Sequence, residues 1–123
     1  MKWQSLLQAY SAALGMYDLP LAYMVIASSQ LDPSEHLLQL QTFASVEPEA
    51  MQRHRVDVHL GRWLPALEHA VRAGPTHAAA SLTFAREHGL LRQLVMLLDD
   101  ENPSHVELRP VAMTAYAQVS NLS

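Results

Sequence analysis

The apolar pattern of the chain is broken and restarted by short blocks that combine a helix-capping residue with proline. The sharpest block is SSQLDPSEHLLQLQ, residues 28 to 41. Asp32 can accept the free N–H groups of a first helical turn, and Pro33 follows where a missing N–H costs nothing. Glu35, three residues after the cap, can bond back to it. The block therefore predicts a helix start.

Similar boundaries recur along the chain, at Asp18 with Pro20, Glu47 with Pro48, Gly74 with Pro75, Asn102 with Pro103, and Pro110. Between them the apolar residues recur at every third or fourth position, the period of a helix. No alternating β-branched run and no Asn-Gly or Asp-Gly turn favours strands. The pattern predicts eight short helices, near residues 3–15, 18–29, 33–45, 48–58, 61–73, 75–88, 90–99 and 110–120.

Two arrangements accommodate eight short helices with tight connections: a stacked array of antiparallel pairs and a small bundle. The segment LPLAYMVIA, residues 19–27, is apolar on every face, which is typical of a helix covered on both sides. Three similar blocks, LGMYDLPL (14–21), LGRWLPAL (60–67) and HGLLRQLV (88–95), each place a glycine before a helix. Trp63 and Ala66 have the large-x-x-small spacing by which helices of tetratricopeptide-like repeats interlock.

The sequence thus predicts an all-α fold, an irregular α-solenoid of antiparallel helix pairs (TPR-like), with a small helical bundle as the alternative. The 123 residues are enough for a single helical-repeat segment, residues 1–123, and too few for two ordinary domains. We expect packing roles for eight residues: Asp32, Pro33 and Glu35 at the cap, Trp63 with Ala66 as an interlock, and Leu21, Val25 and Leu67 in the core.

Charge and composition narrow the function classes. The formal net charge is −4, with 12 acidic and 8 basic residues, and the basic residues form no stripe, which argues against a nucleic-acid or anionic-membrane surface. The absence of cysteine leaves no disulfide or thiolate site and fits a reducing compartment. No run of 18 apolar residues predicts a membrane span. The N-terminal apolar stretch is interpreted as the first helix, with a signal peptide as the alternative.

The search for catalytic or metal-binding patterns is mostly negative. No two of the seven histidines are four residues apart, and His54 and His59 are five apart. The acidic cluster at residues 99–101 is interpreted as a solvated loop. No Gly-x-Ser-x-Gly elbow or phosphate-binding glycine loop occurs. We therefore predict no catalytic, cofactor or metal site, and we interpret the aromatic residues as core: Trp3, Trp63, Tyr17, Tyr23 and Tyr116.

Residues 17–40, YDLPLAYMVIASSQLDPSEHLLQL, resemble a segment of the largest Elongator subunit, the IKAP family. The matching positions are Tyr17, Asp18, Leu21, Ala22, Val25, Ala27, Ser29, Gln30, Asp32, Pro33, Glu35, Leu37 and Leu40. The resemblance continues at Arg53, Val56, Asp57, Leu60, Arg62, Trp63, Ala66, Leu67, His69 and Gly74, and near the end at Ala115, Tyr116 and Ala117. The chain departs from the family pattern at His36, Leu38 and Gln39, which leaves the cap of the third helix unchanged.

The resemblance implies a non-catalytic scaffold. Members of the family carry two N-terminal β-propellers and a long helical-repeat arm, and they hold the other Elongator subunits, including the radical-SAM catalytic subunit. The complex starts the 5-carboxymethyl class of wobble-uridine modifications in tRNA. This chain resembles an internal part of the arm, without the basic segment that contacts tRNA, so direct nucleic-acid binding, membrane binding and cofactors are not expected of it.

Two further expectations concern the stability of the isolated chain and the location of the protein in the cell. If it is a fragment of a longer arm, its terminal helices would expose apolar faces, so the isolated chain is expected to self-associate or to be marginally stable. The expected location is the cytoplasm, with the nucleus as an alternative.

The competing function is a helical-repeat adaptor of the vesicle-coat type, unrelated to tRNA modification.

Overall fold

The computed structural model describes residues 3–28, 34–98, 102, 103 and 105–122. In this part of the chain there are eight α-helices, one 3-10 turn at Pro75–His77, and no strand. The helices are α1 (Trp3–Gly15), α2 (Leu19–Ala27), α3 (Ser34–Ala44), α4 (Glu49–Leu60), α5 (Trp63–Arg72), α6 (Ala78–Glu87), α7 (Leu91–Leu97) and α8 (Leu108–Leu122). The prediction of an all-α fold is confirmed.

The predicted boundaries differ from the observed ones by a few residues. The sequence predicts that the last helix begins at Pro110, whereas α8 begins at Leu108. The first four N–H groups of a helix have no partner within it, so a proline at the third helical position costs no hydrogen bond. The predicted cap of α3 at Asp32 and Pro33 lies outside the described residues.

The chain consists of two compact units, residues 1–61 and residues 62–123. The first unit contains α1 to α4, and the second contains α5 to α8. The buried core of the first unit consists of Tyr10, Ala13, Leu14, Ala22, Ile26, Leu40, Phe43 and Val56. That of the second consists of Leu67, Ala85, Leu91, Leu94, Leu98, Ala112 and Ala115. No helix in the described part of the chain has the length and hydrophobicity needed to cross a bilayer.

The connection between α1 and α2 is a tight turn in which a tyrosine adopts the left-handed conformation. Tyr17 has φ 60°. Its N–H donates to the carbonyl of Leu14 at 2.8 Å, and the N–H of Asp18 donates to the carbonyl of Ala13 at 3.1 Å. These two bonds form the Schellman pattern, which normally places glycine at the left-handed position. A side chain there costs about 1–2 kcal/mol, so other interactions must hold Tyr17 in place.

A left-handed residue also occurs at two later helix ends. Gly61 and Gly89 have φ 74° and 68°, and in each case the next helix begins two residues further on, as it does after Tyr17. The intervening residue has φ/ψ of −95°/81° at Asp18 and −95°/83° at Arg62, but −112°/21° at Leu90. The residue equivalent to Gly61 at the first junction is therefore Tyr17. Aligning the three sequence blocks by their glycines matches Gly61 with Gly15 instead, and Gly15 lies two residues before Tyr17.

When the three helical segments are aligned at their left-handed residues, their buried positions coincide. The fifth residue after it is fully buried in each segment, and the ninth is nearly so. The fifth positions are Ala22, Ala66 and Leu94, each 0% exposed, and the ninth positions are Ile26, Ala70 and Leu98, exposed by 2%, 2% and 4%. In α2 and α5 these positions are four apart on one helix face, whereas Leu98 directly follows the end of α7. The same two buried positions thus follow the left-handed residue in all three segments.

Asp18 also caps α2, because the N–H of Leu21 donates to its Oδ1 at 3.0 Å. Pro20 follows at the second helical position, where its missing N–H has no helical partner to lose.

We expect Asp18→Ala to lower the free energy of unfolding by about 1 kcal/mol, measured by urea denaturation followed by circular dichroism. Asp18→Ser keeps a short side-chain acceptor and is expected to unfold close to wild type. An Ala variant as stable as the Ser variant would contradict the cap.

Candidate functional site

Asp57, in α4, is the fully buried carboxylate of the first unit, with 0% of its surface exposed. The hydroxyl group of Tyr17 donates to it and lies 2.9 Å from both carboxylate oxygens. A buried carboxylate is costly unless it is hydrogen-bonded. This bond therefore ties the turn between α1 and α2 to the middle of α4.

Arg53 covers the ring of the same tyrosine. Its guanidinium carbon lies 4.9 Å from the centroid of the Tyr17 ring, and its Nη2 lies 2.8 Å from Oε1 of Glu49. Glu49, Arg53 and Asp57 are four residues apart and form one stripe along α4. The exposed ion pair contributes little to stability. The ion pair orients Arg53 over Tyr17, where the guanidinium charge lies against the face of the aromatic ring.

A second set of polar contacts joins α1, α3 and α4. The hydroxyl of the buried Tyr10 donates to Oε1 of Gln39 at 2.6 Å, and Nε2 of Gln39 lies 3.4 Å from Nδ1 of His59. Because the Gln39 oxygen accepts from Tyr10, its amide nitrogen is the donor to His59. The His59 ring also meets Phe43 edge-on, with centroids 5.8 Å apart. The position of His59 is therefore fixed from two sides.

These contacts form one wall of a groove between α3 and α4, with a volume of about 450 Å³. The apolar part of its lining consists of Leu38, Phe43, Val46 and Val58. The polar part consists of Glu35, Gln39, Thr42, Arg55 and His59. This combination of apolar surface and separated charges suits a macromolecular partner, since it offers apolar contacts along with charged groups that can set direction.

The residues predicted to pack are distributed over both units. Leu21 and Val25 are half-buried against the core of the first unit. Ala66 and Leu67 are fully buried, and Leu67 belongs to the core of the second unit. Glu35 is exposed in the first turn of α3. The structure therefore does not gather the predicted residues into one site.

Trp63 is 40% exposed and lies against α6 and the residue that follows it. Its ring stacks on His88, with centroids 4.2 Å apart and 21° between the planes, and meets Phe84 edge-on at 6.3 Å. The expectation of core aromatics is wrong for Trp63 and also for Tyr23 and Tyr116, which are 52% and 38% exposed. An apolar-rich helix has more apolar positions than its neighbours can cover. The side chain of Trp3 lies outside the described residues.

No group of three His, Asp or Glu side chains in the described part of the chain is arranged to hold a metal ion. The acidic cluster at residues 99–101 lies outside that part. The polar contacts of the first unit instead link its helices to each other.

Sequence reasoning missed both the Tyr17–Asp57 pair and the groove. The pair joins residues 40 apart in the chain, and no spacing rule connects them. The available signal was the resemblance, because Tyr17, Arg53 and Asp57 are all among the residues that carry it. The structure brings these three together on one side of α4.

The fold and its internal contacts define an all-helical segment with repeated helix junctions. No family model matches the chain. It is similar to Elongator complex protein 1 from Drosophila melanogaster, with 33% identity over 108 residues, 88% of this chain. Identity is 36% over 89 residues, 72% of the chain, for the Arabidopsis thaliana protein and 42% over 60 residues, 49% of the chain, for the Saccharomyces cerevisiae protein.

The chain is therefore homologous to a short segment of Elongator complex protein 1. It spans 8% of the length of the Drosophila protein, 7% of the Arabidopsis protein and 4% of the yeast protein. The resemblance seen in the sequence is confirmed at this level.

The Tyr17–Asp57 bond can be tested by removing one hydroxyl group. Tyr17→Phe leaves the buried carboxylate without this donor, and we expect a loss of about 2 kcal/mol in the free energy of unfolding. Tyr23→Phe is the matched control, because Tyr23 is 52% exposed, and it is expected to change stability by less than about 0.5 kcal/mol. Equal stabilities of the two variants in urea denaturation would show that the bond is not stabilising.

Burial raises the pKa of Tyr10 above the ordinary tyrosine value of about 10. Below about pH 10 the phenol is protonated in both the folded and the unfolded chain, and its contribution to stability is fully present. As pH rises further, the unfolded chain releases the proton more readily, so stability falls until the folded-state pKa is passed. We expect urea denaturation between pH 8 and 11 to show this fall in wild type and in Tyr23→Phe, and a weaker fall in Tyr10→Phe. Parallel profiles would contradict the assignment.

Proposed function

We propose that this chain is a scaffold segment of an Elongator complex. Its role is to present helix faces that hold other subunits, while the radical-SAM subunit carries out the chemistry on wobble uridine of tRNA. The homology to Elongator complex protein 1 over 88% of the chain is the observation that carries this proposal.

The arrangement of the resembling residues supports a structural role for them. Inside the first unit the hydroxyl of Tyr17 donates to Asp57, and Arg53 lies over the Tyr17 ring and pairs with Glu49. Ala66 and Leu67 are fully buried in the second unit. A sequence relationship based on such residues points to a shared framework, since their contacts are internal.

We extend the proposal to the architecture: residues 1–123 form one helical-repeat segment of an irregular, TPR-like α-solenoid, part of a longer arm. Three helix junctions, each with a left-handed residue two positions before the next helix and the same buried positions after it, support a repeat. In a repeat protein, each unit contacts its neighbours and the remaining faces are available to partners.

The proposed partners are the other Elongator subunits, including the catalytic one, in the cytoplasm with the nucleus as an alternative. A non-enzymatic role and no direct contact with tRNA follow from the same proposal, because the family assigns catalysis and the basic tRNA-contacting segment elsewhere. The net charge of −4 is consistent with protein partners.

The test is to tag the gene at its own locus, record the size of the product and identify co-purifying proteins by mass spectrometry. We expect the radical-SAM subunit to co-purify with the wild-type product. A matched Leu67→Asp product, which places a charge at a fully buried core position, is expected to lose it. Deletion of the gene is expected to deplete 5-carboxymethyl-class nucleosides in tRNA.

Co-purification with coat proteins, with unchanged tRNA nucleosides in the deletion strain, would contradict the Elongator proposal. It would instead support the helical-repeat adaptor of the vesicle-coat type. Equal recovery of Elongator subunits by the wild-type and Leu67→Asp products would contradict a role for the folded second unit.

A further inference from the structure

The groove between α3 and α4 has an edge lined by one cation, Arg55, and one neutral hydrogen-bond donor, His59. Both come from α4, four residues apart, which is roughly 6 Å along the helix axis. Within the described part of the chain, no hydrogen bond or ion pair occupies the Arg55 guanidinium. In a chain whose net charge is −4, this edge is a local exception that favours an acidic ligand.

The edge is also pre-organised. Gln39 donates to Nδ1 of His59, which leaves Nε2–H as the donor of that ring. Phe43 packs against the same ring. Because His59 is already held by internal contacts, a partner would lose less conformational entropy in binding it than in ordering a free side chain.

Apolar surface lies beside the charged edge. Leu38 is 66% exposed on α3, and Val46 and Val58 are half-buried in the lining. Glu35 lies four residues before Gln39 on α3, roughly 6 Å along the axis, so the groove carries one negative side chain, Glu35, in addition to the positive Arg55. Such a charge distribution sets the direction of an elongated ligand.

We propose that this groove docks an acidic amphipathic helix from a partner protein. Its apolar side chains occupy the space between Leu38 and Val58, and its carboxylates pair with Arg55 and His59. The mode is helix-in-groove recognition, in which residues three and four apart anchor one face. The inference deepens the proposed function, because it names one surface by which the segment would hold a partner.

Two other apolar surfaces give less information about the chemistry of a partner that would bind to them. A groove of about 560 Å³ between α2 and α3, lined by Leu19, Tyr23 and Leu37 among others, has no charged residue among the described residues of its lining. α8 exposes Val111, Met113 and Val119, which do not share one face, and Arg86 lines a cavity beside Val111. Neither surface combines a continuous apolar face with a charge that selects a partner.

The test uses the full 123-residue chain and two synthetic 16-residue peptides. One has leucine at heptad positions a and d and glutamate at e and g, and the other has lysine in place of each glutamate. Binding is followed by amide chemical shifts at near-physiological salt. We expect the acidic peptide to shift amides of α3 and α4 and to bind about tenfold more tightly than the basic peptide.

Matched variants identify the residues responsible. Arg55→Glu is expected to reverse the preference between the peptides, whereas Arg92→Glu, the same charge change at an exposed position of α7, is expected to keep it. Leu38→Ala is expected to weaken binding of the acidic peptide about fivefold through lost apolar contact, whereas Met96→Ala, at a residue 73% exposed, is expected to have no effect. All four positions are exposed, so thermal unfolding should remain close to wild type.

Three results would overturn the proposal: equal binding of both peptides, binding of neither at 1 mM (roughly the weakest affinity that a specific site would show), or the same effect for Arg55→Glu and Arg92→Glu. A single-stranded RNA that shifts the Arg55 and His59 amides and displaces the acidic peptide would also overturn it, by assigning the edge to nucleic acid. Such results leave the co-purification test of the Elongator role unaffected. Failure of co-purification would likewise leave peptide binding intact.

Discussion

The hydrogen bond from Tyr17 to the buried Asp57 carboxylate is the interaction on which the first unit depends. The left-handed backbone at Tyr17 costs about 1–2 kcal/mol, and a hydrogen bond to a charged group contributes about 1.5–3 kcal/mol. The bond is therefore large enough to offset the local strain. It also supplies a hydrogen-bond donor to a fully buried carboxylate. The turn and α4 thus stabilise each other's positions, and Arg53 covers the ring that joins them.

The residue after Tyr17 makes the turn compact. The N–H of Asp18 completes the end of α1, and its carboxylate caps the start of α2. One residue therefore serves two helices, within a connection of three residues. Gly61 and Gly89 adopt the same left-handed conformation without a side chain to position. The tyrosine version adds a contact to α4 that a glycine cannot make.

The recurrence of this junction bears on function. Small or aliphatic residues occupy the same buried positions after each left-handed residue, and a repeated unit of this kind is suited to building a framework. The groove between α3 and α4 shows what such a framework can add, because internal contacts fix His59 while Arg55 stays accessible at its edge. The proposed scaffold role would use both features: a stable interior and directed surface groups.

The all-helical class, the number of helices and most helix ends followed from the sequence, because apolar spacing and capping act between residues three or four apart. The register of the repeats did not follow from the sequence, since glycine is the expected left-handed residue and the structure has Tyr17 at that position instead. The surface exposure of Tyr23 and the half-exposed position of Trp63 also required the structure. The links from Tyr10 to Gln39 and from Tyr17 to Asp57 span 29 and 40 residues. Only tertiary packing decides such pairs, because the chain must fold before burial can select which polar groups bond to each other.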